Sequence, residues 1–158
     1  MSDTYMLSEY LNENYIIVQN TSDKKEAFEL LIDTMSKSNA INNPQEFRNG
    51  IFQHEKELST AVGNNCAIPH TRLNSVNQIV IGILISEQGF IYNHSDAEKV
   101  NIIFMIAAPL KQDKQYIQIL SKIITRIKDK SFCNYLSNLK YPNQVFNALL
   151  EAEKIACF

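Results

Sequence analysis

His70 is the residue in this chain best placed to do chemistry. It follows Pro69 directly, at the end of the run Cys66-Ala67-Ile68, which is itself preceded by a Gly63-Asn64-Asn65 turn. Proline fixes its own φ and biases the residue before it towards an extended conformation, so a strand is expected to end at Ile68. His70 would then project from a rigid strand end rather than from a mobile loop. A neutral imidazole carries a lone pair near pH 7, and ordering it before reaction lowers the entropic cost of nucleophilic attack. A lone histidine is more often a core or surface residue, so the surrounding pattern has to decide.

The elements that would position His70 follow from apolar spacing. Leu7 to Leu11 suggests a short helical turn and Tyr15 to Val18 a first strand. Capping residues Asn20, Thr21, Ser22 and Asp23 precede Ala27, Phe28, Leu31, Ile32 and Met35, which share one helical face and predict a helix ending near Ser38-Asn39. Asn43-Pro44-Gln45-Glu46 is a second start signal, and Phe47, Ile51 and Phe52, with Leu58 beyond, supply that helix's apolar stripe. His54 and Glu55 lie towards its end. Gln78 to Ile85 and Val100 to Ala107 read as strands covered on both faces, the second stopped by Pro109. Gly89 predicts a turn, followed by a brief strand at Phe90 to Tyr92 and a polar loop from Asn93 to Lys99. Tyr116, Ile117, Leu120, Ile123, Ile124 and Ile127 form a wide helical stripe, and further helices are expected around Ser131 to Asn138 and from Pro142 to about Lys154. Strands interleaved with helices imply an α/β sandwich, a central sheet flanked by helices on both faces.

Composition narrows the classes. The 158 residues suit a single domain, residues 1–158, with a substantial core. Hydrophobic residues make up 45% and charged residues 20%, which favours a folded chain over a disordered one. A net charge of −2, with scattered Lys and Arg, gives nucleic-acid binding no electrostatic support. No apolar stretch is long enough to span a bilayer as a helix, and the acidic first residues lack the blocks of a signal peptide. A cytoplasmic, soluble protein is expected. Cys66, Cys133 and Cys157 have no metal-ligand spacing and are expected to be reduced thiols, Cys66 as a small buried residue. No Ser-His-Asp set, phosphate loop or paired-carboxylate spacing occurs.

The run from His54 to Arg72, HEKELSTAVGNNCAIPHTR, resembles the signature of the IIA domains of the bacterial sugar phosphotransferase system, fructose/mannitol type. The resemblance extends from about Leu7 to Leu150, and Val100-Asn101-Ile102-Ile103-Phe104-Met105-Ile106-Ala107-Ala108-Pro109 belongs to it. It implies a mixed sheet of about five strands, with the active histidine in a shallow depression near strand ends. It also implies that His70 accepts phosphate from the carrier protein HPr and passes it to a IIB component, and through it to the membrane-bound IIC, with no metal or cofactor. Phosphoryl transfer of this kind rests on positioning and on positive or N–H dipoles near the transferring group.

The chain departs from the family pattern at two positions expected to touch phosphate. His54 stands before Glu55 where the family usually has arginine, and Tyr116 occupies the place of a second histidine. An arginine fork is not fully replaced by either side chain. Three substitutes are available: His54 as a donor, the Tyr116 hydroxyl, and Arg72 if the chain turns back there. The plain readings stand beside them: a solvated helix end, a half-buried helix residue and an ordinary surface charge. Ser59 and Thr60 would order the turn beneath His70; Glu55 would fix an active-site side chain or compensate a lysine; His94 reads as solvated. The first functional reading is a phosphocarrier of sugar uptake. The second is a IIA-like regulatory or interaction domain with weak or no transfer.

Overall fold

Two long apolar strands form the spine of the molecule, which was obtained as a computed structural model describing residues 4–156. Strand β5 (Val80–Asn93) and strand β6 (Glu98–Ala108) pair antiparallel along most of their length. The free edge of β5 takes β1 (Ile16–Val18) in parallel. The free edge of β6 takes first β3 (Cys66–Ala67) and then β4 (His70–Arg72), both parallel, and β2 (Ala61–Gly63) closes that side antiparallel to β3. Among the described residues these six strands make one mixed sheet.

Helices cover both faces, which is why β5 and β6 are apolar without alternation. On one face lie α1 (Lys24–Met35) and α2 (Pro44–Glu57), packed on Val80, Leu84, Ile103, Met105 and Ala107. On the other lie α3 (Asp113–Ile127), α4 (Lys130–Ser137) and α5 (Pro142–Ala156), packed on Ile81, Ile83, Ile85, Ile102, Phe104 and Ile106. The mixed α/β sandwich expected from the sequence is the fold observed. Three of the helix starts have a side-chain cap: Asp23, Asn43 and Asp129 accept the backbone N–H groups of Glu26, Glu46 and Phe132, and Pro44 sits where its missing N–H costs nothing.

Three local expectations need correction. Gly89 does not end a strand; its φ of 70° makes an irregularity inside β5, where the pairing register shifts between Ile85 and Phe90. Leu58 is not part of the α2 stripe: the helix stops at Glu57, and Leu58 caps it in an extended conformation, 77% exposed. On α3, Ile119 rather than Ile117 faces the sheet; Tyr116, Ile119, Ile123 and Ile127 are buried while Ile117 is exposed. That spacing of three and four residues is the true core stripe, each buried isoleucine contributing roughly 2 kcal/mol. Cys157 lies outside the described residues.

Candidate active site

His70 opens β4, beside the end of β6. Pro69 interrupts the pairing between β3 and β4 because it has no N–H, yet its carbonyl still accepts the N–H of Ile106 at 3.0 Å. The strand end is therefore fixed on the sheet, with His70 in register with Ile106 and Arg72 with Ala108. The His70 Nδ1 lies 2.7 Å from the carbonyl oxygen of Ile68. A carbonyl can only accept, so Nδ1 carries the proton and Nε2 is left with the lone pair. The ring is half-buried. It is an ordered imidazole with Nε2 left as its unprotonated nitrogen.

Thr71 points the other way and is buried against α2. The contact is possible because α2 carries Gly50 there; a Cβ at that position would meet the Thr71 Oγ1 at 2.5 Å. One turn further along α2, His54 reaches the loop, and its Nδ1 donates to the His70 carbonyl oxygen at 3.0 Å. His54 thus holds the backbone of His70, and its own Nε2 is not used in that bond. The side chain is exposed.

Arg72 shares a face with His70, two residues along β4. Its guanidinium donates to the Pro109 carbonyl from Nε at 3.3 Å and Nη2 at 3.1 Å, to the Leu110 carbonyl at 3.1 Å, and to the Asp113 carboxylate. It also lies 4.6 Å over the Tyr116 ring, and that ring is 6.4 Å from the His70 ring, centroid to centroid. Arg72 therefore ties β4 to the start of α3 and braces Tyr116 beside His70. Burial raises the Tyr116 hydroxyl pKa above its ordinary value, partly offset by Arg72, so the group is a neutral donor near neutral pH.

Glu55 and Thr60 form a separate, deeper set. The buried Glu55 carboxylate accepts the Thr60 N–H at 3.2 Å, the Thr60 hydroxyl at 2.5 Å, the Tyr92 hydroxyl at 3.0 Å and the Lys24 ammonium at 3.3 Å. Burial and then the Glu55 charge push the Tyr92 hydroxyl pKa well upward. Lys24 also sits 4.4 Å over the Tyr92 ring. The Thr60 carbonyl accepts the Ile68 N–H at 2.9 Å, and the Ile68 carbonyl holds His70. Glu55 reaches His70 through this path of bonds and not by contact.

The sequence has a recognisable relationship to known proteins. The family model described as "Phosphoenolpyruvate-dependent sugar phosphotransferase system, EIIA 2" matches residues 9–152. The chain belongs to that family. It is similar to the nitrogen regulatory protein of Klebsiella oxytoca, 27% identical over 148 residues, covering 92% of this chain and 91% of the relative. The crystal structure of nitrogen regulatory protein IIA-Ntr from Neisseria meningitidis matches with a TM-score of 0.80 at 23% identity, covering 90% of this chain and 98% of that one. A chain in the Escherichia coli complex of enzyme IIAMTL with phosphorylated enzyme IIBMTL matches at a TM-score of 0.76 and 18% identity, covering 89% and 97%. Both likenesses establish a shared fold.

In this EIIA chain, the residues singled out from sequence divide into two groups. His54, His70, Arg72 and Tyr116 converge on the end of β4, whereas Glu55 and Thr60 lie beneath the loop that delivers it. Ser59 accepts a hydrogen bond from Asn93 at 2.8 Å, and His94 is exposed on the distant hairpin. Sequence reasoning missed Lys24, Gly50, Tyr92 and Asp113, which act only through contacts across the fold. Among the described residues of this EIIA chain, no helix is long and apolar enough to cross a membrane, and no three His, Cys, Asp or Glu side chains cluster to hold a metal ion.

Proposed function

We propose that this EIIA chain is a phosphoryl carrier in which His70 accepts a phosphoryl group from phosphohistidine on HPr and passes it to a IIB component. The observation that carries this reading is the Nδ1–H to Ile68 carbonyl bond, which leaves Nε2 free. The Nε2 lone pair attacks phosphorus while the bond to the donor imidazole breaks and its electron pair returns to that ring. His70 then bears positive charge shared with Nδ1–H, and the Ile68 acceptor strengthens by roughly 1 kcal/mol as the donor becomes charged. Membership of the EIIA family and the fold shared with IIAMTL, seen in complex with phosphorylated IIBMTL, support a IIB component as the partner. Exposed Leu110, whose carbonyl Arg72 holds, and exposed Ile117, next to Tyr116, offer apolar contact for a transient complex.

A second reading has its own support. Arg72, the cation nearest His70 along the strand, is committed to Asp113 and to two carbonyls, and the relatives named above include nitrogen regulatory proteins. A regulatory domain with slow phosphate exchange fits that arrangement. Labelled phosphoenolpyruvate with Enzyme I and HPr, followed by addition of IIB, separates the two. A carrier takes up label stoichiometrically and surrenders it to IIB. Label that enters slowly, or stays put when IIB is added, selects the regulatory reading.

A further inference from the structure

The face of the sheet that carries His70 also brings two thiols together. Cys66, in β3, and Cys133, on α4, lie with their Sγ atoms 3.7 Å apart, although 67 residues separate them in sequence. Both are free and buried. The segments that carry them share an anchor: the Ile127 carbonyl, at the end of α3, accepts both the Asn64 side-chain amide at 2.7 Å and the Cys133 thiol at 3.3 Å. Gly63, Asn64 and Asn65, in the turn leading into Cys66, are all at positive φ. A disulfide needs the sulfurs to close from 3.7 Å to about 2.05 Å. A cavity of about 300 Å³ lined by Gly63, Asn64, Asn65, Cys66 and Lys130 reaches the Cys66 side of the pair and is large enough for a small oxidant.

We infer that Cys66 and Cys133 are a reversible dithiol–disulfide site, oxidised by hydrogen peroxide, whose state is transmitted to the carbonyl that holds His70. The hydrogen bond donated by Cys66 lowers the pKa of the Cys133 thiol, while that same bond and burial raise the pKa of Cys66. The Cys133 thiol gives up its proton as its sulfur attacks one peroxide oxygen, the O–O bond breaks, and the departing hydroxide takes up that proton, leaving a sulfenic acid and one water. The Cys66 sulfur then attacks the sulfenic sulfur, displacing its hydroxyl group, which leaves as a second water with the Cys66 proton. Two thiols and one peroxide become one disulfide and two waters. Glutathione-sized disulfides are excluded by the burial of both sulfurs.

The coupling to His70 is short. Cys66 is two residues before Ile68, on a two-residue strand, and the Ile68 carbonyl fixes the imidazole proton. Drawing Cys66 towards α4 moves the segment that ends in that carbonyl. The inference concerns thiol chemistry and the state of the ring, so it stands apart from whether HPr is the phosphate donor.

The test uses the full chain. It is treated with hydrogen peroxide, denatured, alkylated and peptide-mapped, and the ¹⁵N resonances of the His70 ring are compared before oxidation, after it, and after a reductant. Expected are a crosslinked peptide joining Cys66 and Cys133, loss of two of the three alkylatable thiols, and a shifted Nδ1 resonance that returns on reduction. Cys133→Ser should leave Cys66 alkylatable at the same peroxide dose, and Cys157→Ser should leave the crosslink intact. Separate over-oxidation of the two thiols, or persistent alkylation of both, overturns the site. A crosslink that leaves the His70 resonances unmoved overturns the coupling.

Discussion

Glu55 takes both hydrogen-bond donors of Thr60, the backbone N–H at 3.2 Å and the hydroxyl at 2.5 Å. A helix end and the following loop are thereby locked together five residues apart, and the loop's Thr60 carbonyl anchors Ile68. The carboxylate is buried and has Lys24 as its counter-charge. Buried charge of this kind costs little while paired and much when a partner is removed. Its value here lies in holding the strand that carries His70.

Truncating this set should therefore cost both stability and order. Glu55→Ala removes the acceptor that Thr60, Tyr92 and Lys24 share and is expected to destabilise the chain by about 3 kcal/mol. That corresponds to a melting temperature lower by roughly 6–12 °C for a domain of this size. Thermal unfolding followed by circular dichroism checks it. A change below a degree would mean that the carboxylate is solvated in solution.

Tyr92 gives the network a pH signature. Burial and then Glu55 hold its hydroxyl pKa above the ordinary value of 10.0, so the unfolded chain loses that proton first as pH rises. The stabilisation is fully present below the unfolded value and is lost as pH climbs from there towards the folded value. The expected decline is at most about 1.4 kcal/mol per pH unit for this one group. Tyr92→Phe should flatten it in urea unfolding series spanning roughly pH 9 to pH 11. Parallel curves for the two proteins would remove Tyr92 from the account.

Gly50 is the position where α2 touches β4. Alanine there gains about 1 kcal/mol of helix propensity but forces its Cβ into Thr71, an overpacking cost of about 1–3 kcal/mol. Gly50→Ala should be neutral to destabilising, and adding Thr71→Ser, which keeps the hydroxyl and removes a methyl group, should not restore stability. Gly50→Ala with Thr71→Ala removes the Oγ1 that lies 2.5 Å away and should recover part of the loss. Measured unfolding free energies of the single and double variants decide; strict additivity would show that the helix simply moves aside.

At Tyr116 the expected change is a gain. Its ring is held beside His70 by Arg72, at the place where the resemblance read from the sequence implies a histidine. Tyr116→His puts a second imidazole near the incoming phosphate and should raise the initial rate of phosphate uptake from HPr by about tenfold. Tyr116→Phe should lower it with a change in stability of about 0.5 kcal/mol or less. Rates unaffected by either change would place the phosphate away from α3.

The layered fold was legible because its causes are local. Pro44 and the capping residues Asp23 and Asn43 mark helix starts, and the β-branched runs of β5 and β6 mark strands covered on both sides. His70 was legible from Pro69 and its resemblance to a known signature. What escaped depends on pairing across the sheet. Gly89 reads as a turn in one dimension, and only the continued pairing of Phe90 with Val100 makes it an irregularity inside a strand. Ile117 and Ile119 are equally apolar, and the sheet alone chooses between them. Cys66 and Cys133 carry no shared motif, and Arg72 finds Asp113 only because β4 ends where α3 begins.

The most direct measurement is the position of phosphate on the ring. The chain is labelled with ¹⁵N-histidine, phosphorylated by phosphoenolpyruvate, Enzyme I and HPr, and its ³¹P–¹⁵N couplings are recorded. The account predicts one phosphate on Nε2 of His70, absent from His70→Ala. Phosphate on Nδ1, on another residue, or on none would contradict it.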